Sequence, residues 1–213
     1  MFFPLPFKLF CYKKFFGFNL EKGARIGFSL VASKSLVMAH NSKIGHLNVI
    51  KSLSLVSLDE FASIGSMNWI SGFPENTGSP HFADQMDRIP RLLVGKHSAI
   101  TNRHLIDCTN TVKIGCFTTF AGFRSQILTH SISITESRQR SGTVEIGDYS
   151  FVGTGSILLP NSFLPNFCVL GAGSVLNKRY VEEYKLYAGN PARPVKDIDI
   201  NEAYFTRKVG FVV

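Results

Sequence analysis

The sequence predicts an all-β fold, a parallel β-helix of hexapeptide repeats wound into triangular coils, with inserted loops and short terminal helices. Two observations predict it. Five Ile-Gly pairs recur along the chain: Ile26-Gly27, Ile44-Gly45, Ile64-Gly65, Ile114-Gly115 and Ile146-Gly147. Apolar residues also recur every six positions. From Ile26 they are Ala32, Met38, Ile44, Ile50, Val56 and Ala62; from Val94, Ile100, Ile106 and Val112; from Ile146, Val152, Leu158, Leu164, Leu170 and Leu176. A period of six fits neither a helix face nor a lone strand. It fits a coil with three flat sides of six residues, each sending one aliphatic inward. At 45% hydrophobic content, six apolar hits in six arise by chance about once in a hundred frames, so the three blocks together are specific.

The elements follow in order. Residues 1–23 are basic and rich in phenylalanine, and a short basic amphipathic helix is expected after Pro6. Pro4, Pro6 and the interleaved Lys8, Lys13 and Lys14 argue against a signal peptide. The segment reads as a cap, because an uncapped β-helix end exposes apolar surface. The alternative is peripheral contact of residues 1–20 with a membrane surface. The β-helix unit spans 24–178. Its first block ends near residue 70, and an insertion over 71–93 carries Gly, Pro, Asn and Ser without the six-residue phase. Loops of that length are usually functional. The second block, 94–130, slips by two at Val112 to Ile114 and continues through Phe120 and Gln126. A polar loop follows over 131–143, then a third block over 144–178. Residues 179–213 form a turn and a tail ending in a short helix.

Composition narrows the class. The 213 residues carry a formal charge of +8. That suits a polyanionic ligand or simple solubility. No nucleic-acid-binding module is present and the basic residues are scattered, so no nucleic-acid partner is expected. Cys11, Cys108, Cys116 and Cys168 have no CxxC spacing and suggest no disulfide framework, which favours a reducing cytosol. No run of about 18 apolar residues suggests a membrane span.

Two histidines could act as a base. His130 ends a hexad at the mouth of the 131–143 loop, and imidazole titrates near neutrality. The alternative is a solvated corner histidine. Stacking arithmetic, with 18 residues per coil and 20 across the slip, puts Asn110 beneath His130 and Arg124 above His104. His104, in the run His104-Leu105-Ile106-Asp107, is the alternative base or a contact to a neighbouring subunit. A metal site is not expected: the pairs His40/His46 and His97/His104 sit near different corners, whereas zinc needs converging ligands. In the tail, Gly189 allows close backbone approach and Arg193 and Lys196 suit phosphate.

The hexads followed by Ala188-Gly189-Asn190-Pro191-Ala192-Arg193 resemble hexapeptide-repeat acyltransferases, over roughly 24–196. The segment Gln126–Ser131, with Thr129-His130, resembles the catalytic segment of the branch that acetylates sugars, including capsule and O-antigen enzymes. The resemblance implies a left-handed coil, against the usual right-handed crossover preference, and a homotrimer with sites between subunits. It implies acetyl-CoA as co-substrate and His130 as general base in direct transfer to a sugar or glycan hydroxyl. Asn110, His104 and Asp107 are the candidate supporting or alternative residues. Gly153, Gly155, Gly171, Gly173, Ser174, Lys178, Ala188, Gly189, Asn190, Pro191, Arg193 and Lys196 are implied to bind CoA. The 71–93 insertion is the candidate for acceptor recognition: Trp69 just before it, with Phe73, His81 and Phe82, to stack on sugar faces, and Asn76 and Asp84 to bind hydroxyls; the alternative for Trp69 is packing at the coil end. Two features depart from the family pattern. Residues 179–185 replace a Pro-rich linker, and the N-terminal helical domain of the maltose enzymes is missing. The latter points to a surface-polysaccharide precursor or a nucleotide- or lipid-linked sugar. N-transfer to an amino sugar and a non-catalytic scaffold remain as alternatives. The expected location is cytoplasmic, with association at the inner membrane face as an option.

Overall fold

The structure, a computed structural model, describes residues 5–212. Residues 1–4, the start of the expected cap, and Val213 lie outside the described residues. The fold is a left-handed parallel β-helix. Among the described residues, short strands stack into three sheets of seven, nine and seven strands, and the chain visits the three faces in rotation. The first face runs from Asn19–Leu20 through Leu55–Leu58 and Arg91–Val94 to Phe163–Leu164. The second runs from Arg25–Ile26 to Val169–Leu170, and the third from Leu30–Ala32 to Val175–Leu176.

One aliphatic per side fills the prism. Ile44, Ile50, Leu58, Ile64, Ile70, Ile100, Ile106, Ile114, Phe120, Ile127, Val152, Leu158, Leu164, Leu170 and Leu176 are all 2% exposed or less. Where a side departs from six residues, the structure corrects the simple count. Val31, not Ala32, points inward, in register with Ile50. Leu58 follows Ile50 after eight residues, with Val56 in the slot opposite Leu36 and Ala62 at a buried corner. Ile127, not Gln126, follows Phe120, because one extra residue is taken up at the corner where Gly122 has φ 73°. The two-residue slip is present: Val112 pairs with Leu92 and Ile114 with Val94.

The Ile-Gly pairs serve the corners. A Cβ on Gly45 would lie 2.4 Å from the Gly65 carbonyl oxygen, and one on Gly65 would lie 2.3 Å from that of Thr101. Adjacent coils approach there as closely as bare backbone allows. Along the edge between the first and second faces, Phe61, His97, Phe117, Tyr149, Phe167 and Tyr184 form a ladder with ring centroids 4.7–5.4 Å apart. This is where His97 goes; His40 meets the ladder edge-on at Phe61.

The two ends are closed differently. Helix α1 (Leu5–Phe16) lies against the first coil, with Tyr12 buried and its ring tilted against Phe18, and the Lys8 ammonium donating to the Gly27 carbonyl. The helix starts one residue before Pro6. It is not simply amphipathic, because aromatic side chains occupy its outward face as well. Asn19–Leu20 already pairs with the first face, so the solenoid begins there. At the other end Lys185–Gly189 joins the second face and folds back on Ala192–Asp197 as an antiparallel hairpin. The tail then crosses the ladder through helix α2 (Ala203–Thr206).

Candidate active site

Both interruptions of the rhythm occur at the same edge of the prism. The insertion follows the third-face strand Trp69–Ser71 and the later excursion follows the third-face strand Gln126–Ile127. Two coil spacings, about 10 Å, separate these strands. Between them lies the coil that carries Asp107. The excursion, expected as a polar loop, is an antiparallel hairpin of His130–Ser133 with Arg138–Ser141.

His130 starts this hairpin, and its Nδ1 lies 2.7 Å from Asp107 Oδ2. Asp107 is held by donors alone. Oδ1 accepts the Thr109 N–H (2.9 Å), and Oδ2 accepts the Thr129 N–H and the Thr129 hydroxyl (both 2.8 Å). Its side chain is 11% exposed, against 38% for His130. Burial by itself would raise the Asp107 pKa, but hydrogen bonds from His130, Thr109 and Thr129 hold it below the ordinary carboxylate value. The hydrogen bond to Asp107 raises the His130 pKa above that of a free imidazole; burial and the Arg88 charge oppose it, and the Asp107 charge adds to it. An anionic carboxylate on Nδ1 selects the Nδ1–H tautomer and leaves Nε2 to take a proton.

The insertion walls this pair. Phe82 is buried and meets the His130 ring edge-on, centroids 6.0 Å apart. Arg88 is buried and donates to the carbonyls of Phe73, Pro74 and Thr109 at 2.6–3.0 Å, with its guanidinium over the Phe82 ring. Gln85 makes two hydrogen bonds to the Ser141 backbone, and the Arg140 guanidinium donates to the Asp84 carboxylate. Insertion and hairpin also flank an open cleft of about 760 Å³ lined by His81, Phe82, Asp84, Ile132, Arg138 and Gln139; His130 is not among its lining residues, and Phe82 is the residue that touches both.

Several expectations shift. Asn110 does not partner His130; its side-chain amide donates to Ser141 Oγ and its N–H to Thr129 Oγ1. The extra residue at Gly122 moves the stacking offset to 21 on this side, and the imidazole instead reaches Asp107, 23 residues back. For the same reason Ser125, not Arg124, meets His104. His104 is 2% exposed, with Nδ1 accepting the Ser125 N–H and Nε2 on the Thr101 hydroxyl. Desolvation lowers its pKa to about 4, so it is a satisfied core residue rather than a base.

Among the acceptor candidates, Phe82, His81 and Asp84 line the cleft. Phe73 packs on Phe82 and His81. Asn76 lines a separate hollow within the insertion. Trp69 lies outside the cleft, on the outer third face between Val49 and Leu105, with the Lys51 ammonium 5.2 Å from its ring centroid. Phe82 is too buried to stack on a ligand. Sequence reasoning missed Arg88, Gln85 and Arg140, since nothing in a six-residue rhythm marks contacts across 21 to 56 positions.

The CoA candidates gather elsewhere. Gly153, Gly171 and Ala188 form one column at the edge between the second and third faces. Gly155 and Gly173 have φ of 68° and 70°, with open space where a Cβ would stand. Ser174 Oγ accepts the Gly189 N–H at 3.1 Å, placing the cis Asn190-Pro191 hairpin tip beside them. Arg193 and Lys196 are exposed on the second hairpin strand. Lys178 is set apart: it follows Val175–Leu176 toward the third–first edge and covers the Tyr180 ring. Within one chain this cluster and His130 sit at opposite ends of the third face. Among the described residues, no three His, Cys, Asp or Glu side chains are placed to hold a metal.

No family model matches the chain. A protein named "Putative acetyltransferase YvoF" from Bacillus subtilis (strain 168) is 27% identical over 149 residues, 69% of this chain and 76% of that protein. The polysialic acid O-acetyltransferase OatWY shares the fold with a TM-score of 0.63 at 17% identity, over 90% of both chains. A mutant form of AntD, an N-acyltransferase from Bacillus cereus solved with dTDP-4-amino-4,6-dideoxyglucose and coenzyme A, gives 0.56 at 12% identity over 90% of this chain and 89% of that one. The fold is that of the hexapeptide-repeat acyltransferases the sequence resembles.

Proposed function

We propose that this chain is an acyltransferase that moves an acetyl group from acetyl-CoA to a sugar hydroxyl, with His130 as general base and Asp107 orienting it. The observation that carries this reading is the 2.7 Å His130–Asp107 pair at the edge where, among the described residues, both excursions leave the prism, with Phe82 of the insertion against the imidazole. The acceptor hydroxyl approaches Nε2, which takes its proton as the oxygen attacks the thioester carbonyl. A C–O bond forms, the C–S bond breaks, and the proton passes from His130 to the departing thiolate. Asp107 keeps the tautomer fixed and stabilises the transient imidazolium, as a carboxylate does in other His-based sites.

The glycine column and the Gly189 turn are the proposed CoA groove, since bare backbone lets an extended chain lie close. Arg193 and Lys196 are its proposed phosphate contacts. Because this groove and His130 occupy different edges of one prism, the reading requires a second copy to bring them together; a homotrimer, as the family resemblance implies, is the proposed assembly. The cleft against the Phe82 wall is the proposed acceptor site, with Asp84 and Arg138 at its rim. A glycan of a surface-polysaccharide precursor is the proposed acceptor. The same base would serve an amino sugar. Four free cysteines, three of them buried, are consistent with the proposed cytoplasmic location, and no described helix is long and apolar enough to cross a membrane.

His130→Ala is expected to lower turnover by about 10²–10⁴-fold while leaving the melting curve in place. CoA release, measured with a thiol reagent against a panel of hydroxyl and amino sugars, reads both the base and the acceptor. Full turnover in the variant would remove His130 from the role, and failure to bind acetyl-CoA in calorimetry would favour a non-catalytic scaffold.

A further inference from the structure

Counted along the chain, the positive charge is not evenly scattered. Residues 1–51 hold eight Lys and Arg against one acid, Glu21, whereas residues 52–213 hold fifteen against fourteen. Nearly all of the net +8 therefore sits at the N-terminal end of the prism. Lys8 is buried, but Lys13, Lys14, Lys22, Arg25, Lys34, Lys43 and Lys51 are all exposed, ringing α1 and the first two coils.

The same end carries aromatic surface. On α1 the buried side presents Tyr12 to the coil, while Phe10 and Phe15 are 57% and 74% exposed and Phe16 is half-exposed. Lys13 and Lys14 stand beside them in the last turn. The surface continues past Phe16 into an apolar groove of about 430 Å³ lined by Tyr12, Leu30, Leu47 and Val49. At 12 residues the helix is too short to span a bilayer, though it can lie along one.

We propose that this end of the molecule docks on an anionic lipid bilayer, with Phe10 and Phe15 entering the interface and the lysine ring facing acidic headgroups. Charge complementarity decides between occupants. A second copy docked end to end would bring two strongly positive rings together, whereas an anionic leaflet attracts each basic residue. In this orientation the prism stands on the membrane. His130 lies four coil spacings, about 20 Å, from the first coil, and α1 stands between that coil and the headgroups. The proposal stands independently of acyl transfer.

The test is co-sedimentation of the full chain with vesicles of phosphatidylcholine containing about one-third phosphatidylglycerol, against phosphatidylcholine alone, with binding expected only to the former. Lys13→Gln with Lys14→Gln should weaken it about 25-fold, at about fivefold per charge. Phe10→Ser with Phe15→Ser should weaken it by about tenfold or more per ring. Raising the salt should weaken binding of the unmodified chain. Unchanged thermal unfolding confirms that the variants are folded. Equal binding to both vesicle types, no binding to either, or variants that alter the sedimentation-equilibrium mass and not vesicle binding would overturn the proposal; the last would assign the surface to a second copy.

Discussion

Asp107→Asn perturbs the proposed site at its centre while changing its volume very little. All four groups around this carboxylate are donors, three from Thr109 and Thr129 and the fourth from His130. An amide offers one acceptor and one donor end, so its NH₂ must face at least one other donor. Hydrogen bonds to a charged partner are worth about 1.5–3 kcal/mol. Each factor of ten in rate corresponds to about 1.4 kcal/mol. Losing the charged bond to His130 should therefore lower kcat by about tenfold to a hundredfold. The 38% exposure of the imidazole favours the lower part of that range, because water screens the pair. The pH profile should move as well. His130 is held above the ordinary imidazole value chiefly by its hydrogen bond to Asp107, and a base must be neutral to act. Activity should thus fall as pH drops through that raised value. In the Asn variant the acid limb should move to lower pH while the plateau falls. Two measurements read this: kcat against pH, and the imidazole Cε1–H resonance of His130 followed by NMR titration and assigned with His130→Gln. The titration needs no acceptor. A resonance that titrates identically in both proteins, with unchanged kcat, would show that the pair does not set the state of His130.

Three further outcomes are expected. Arg88→Met should leave three backbone carbonyls without their donor, at about 1–3 kcal/mol for each left unsatisfied, and hydrogen exchange should rise across residues 73–88 with a loss of activity; unchanged exchange would mean the insertion is held by other contacts. Gly173→Val should weaken acetyl-CoA binding in calorimetry, because it places a side chain in open space beside the proposed groove and strains a residue at φ 70°; undiminished affinity would move the groove elsewhere. Gly65→Ala should lower the melting temperature sharply, since its Cβ would stand 2.3 Å from the Thr101 carbonyl oxygen in a stacked corner; a melting point matching the parent's would show that the coils can separate there.

Much of the architecture is legible in the order of residues. One inward aliphatic every six residues specifies a three-sided coil because no other regular structure has that period, and the loss of the rhythm after Ile70 and after His130 marks the two excursions. Asp107 could be named as a companion of His130 but not chosen over Asn110. A β-helix stacks by register, and each extra corner residue changes which side chains meet one coil away. The eight-residue side before Ile114 and the seven-residue side before Ile127 shift the partners of every later residue. Ser125 therefore meets His104, and His104 is sealed rather than available. The linear pattern was enough to specify the solenoid, the positions where it opens, and the histidine at one opening. Folding in three dimensions was needed to bring both openings to one edge, to set Asp107 between them, and to close Phe82 and Arg88 over the pair. These placements are sums of turn lengths around a closed prism, and no local window of sequence contains them.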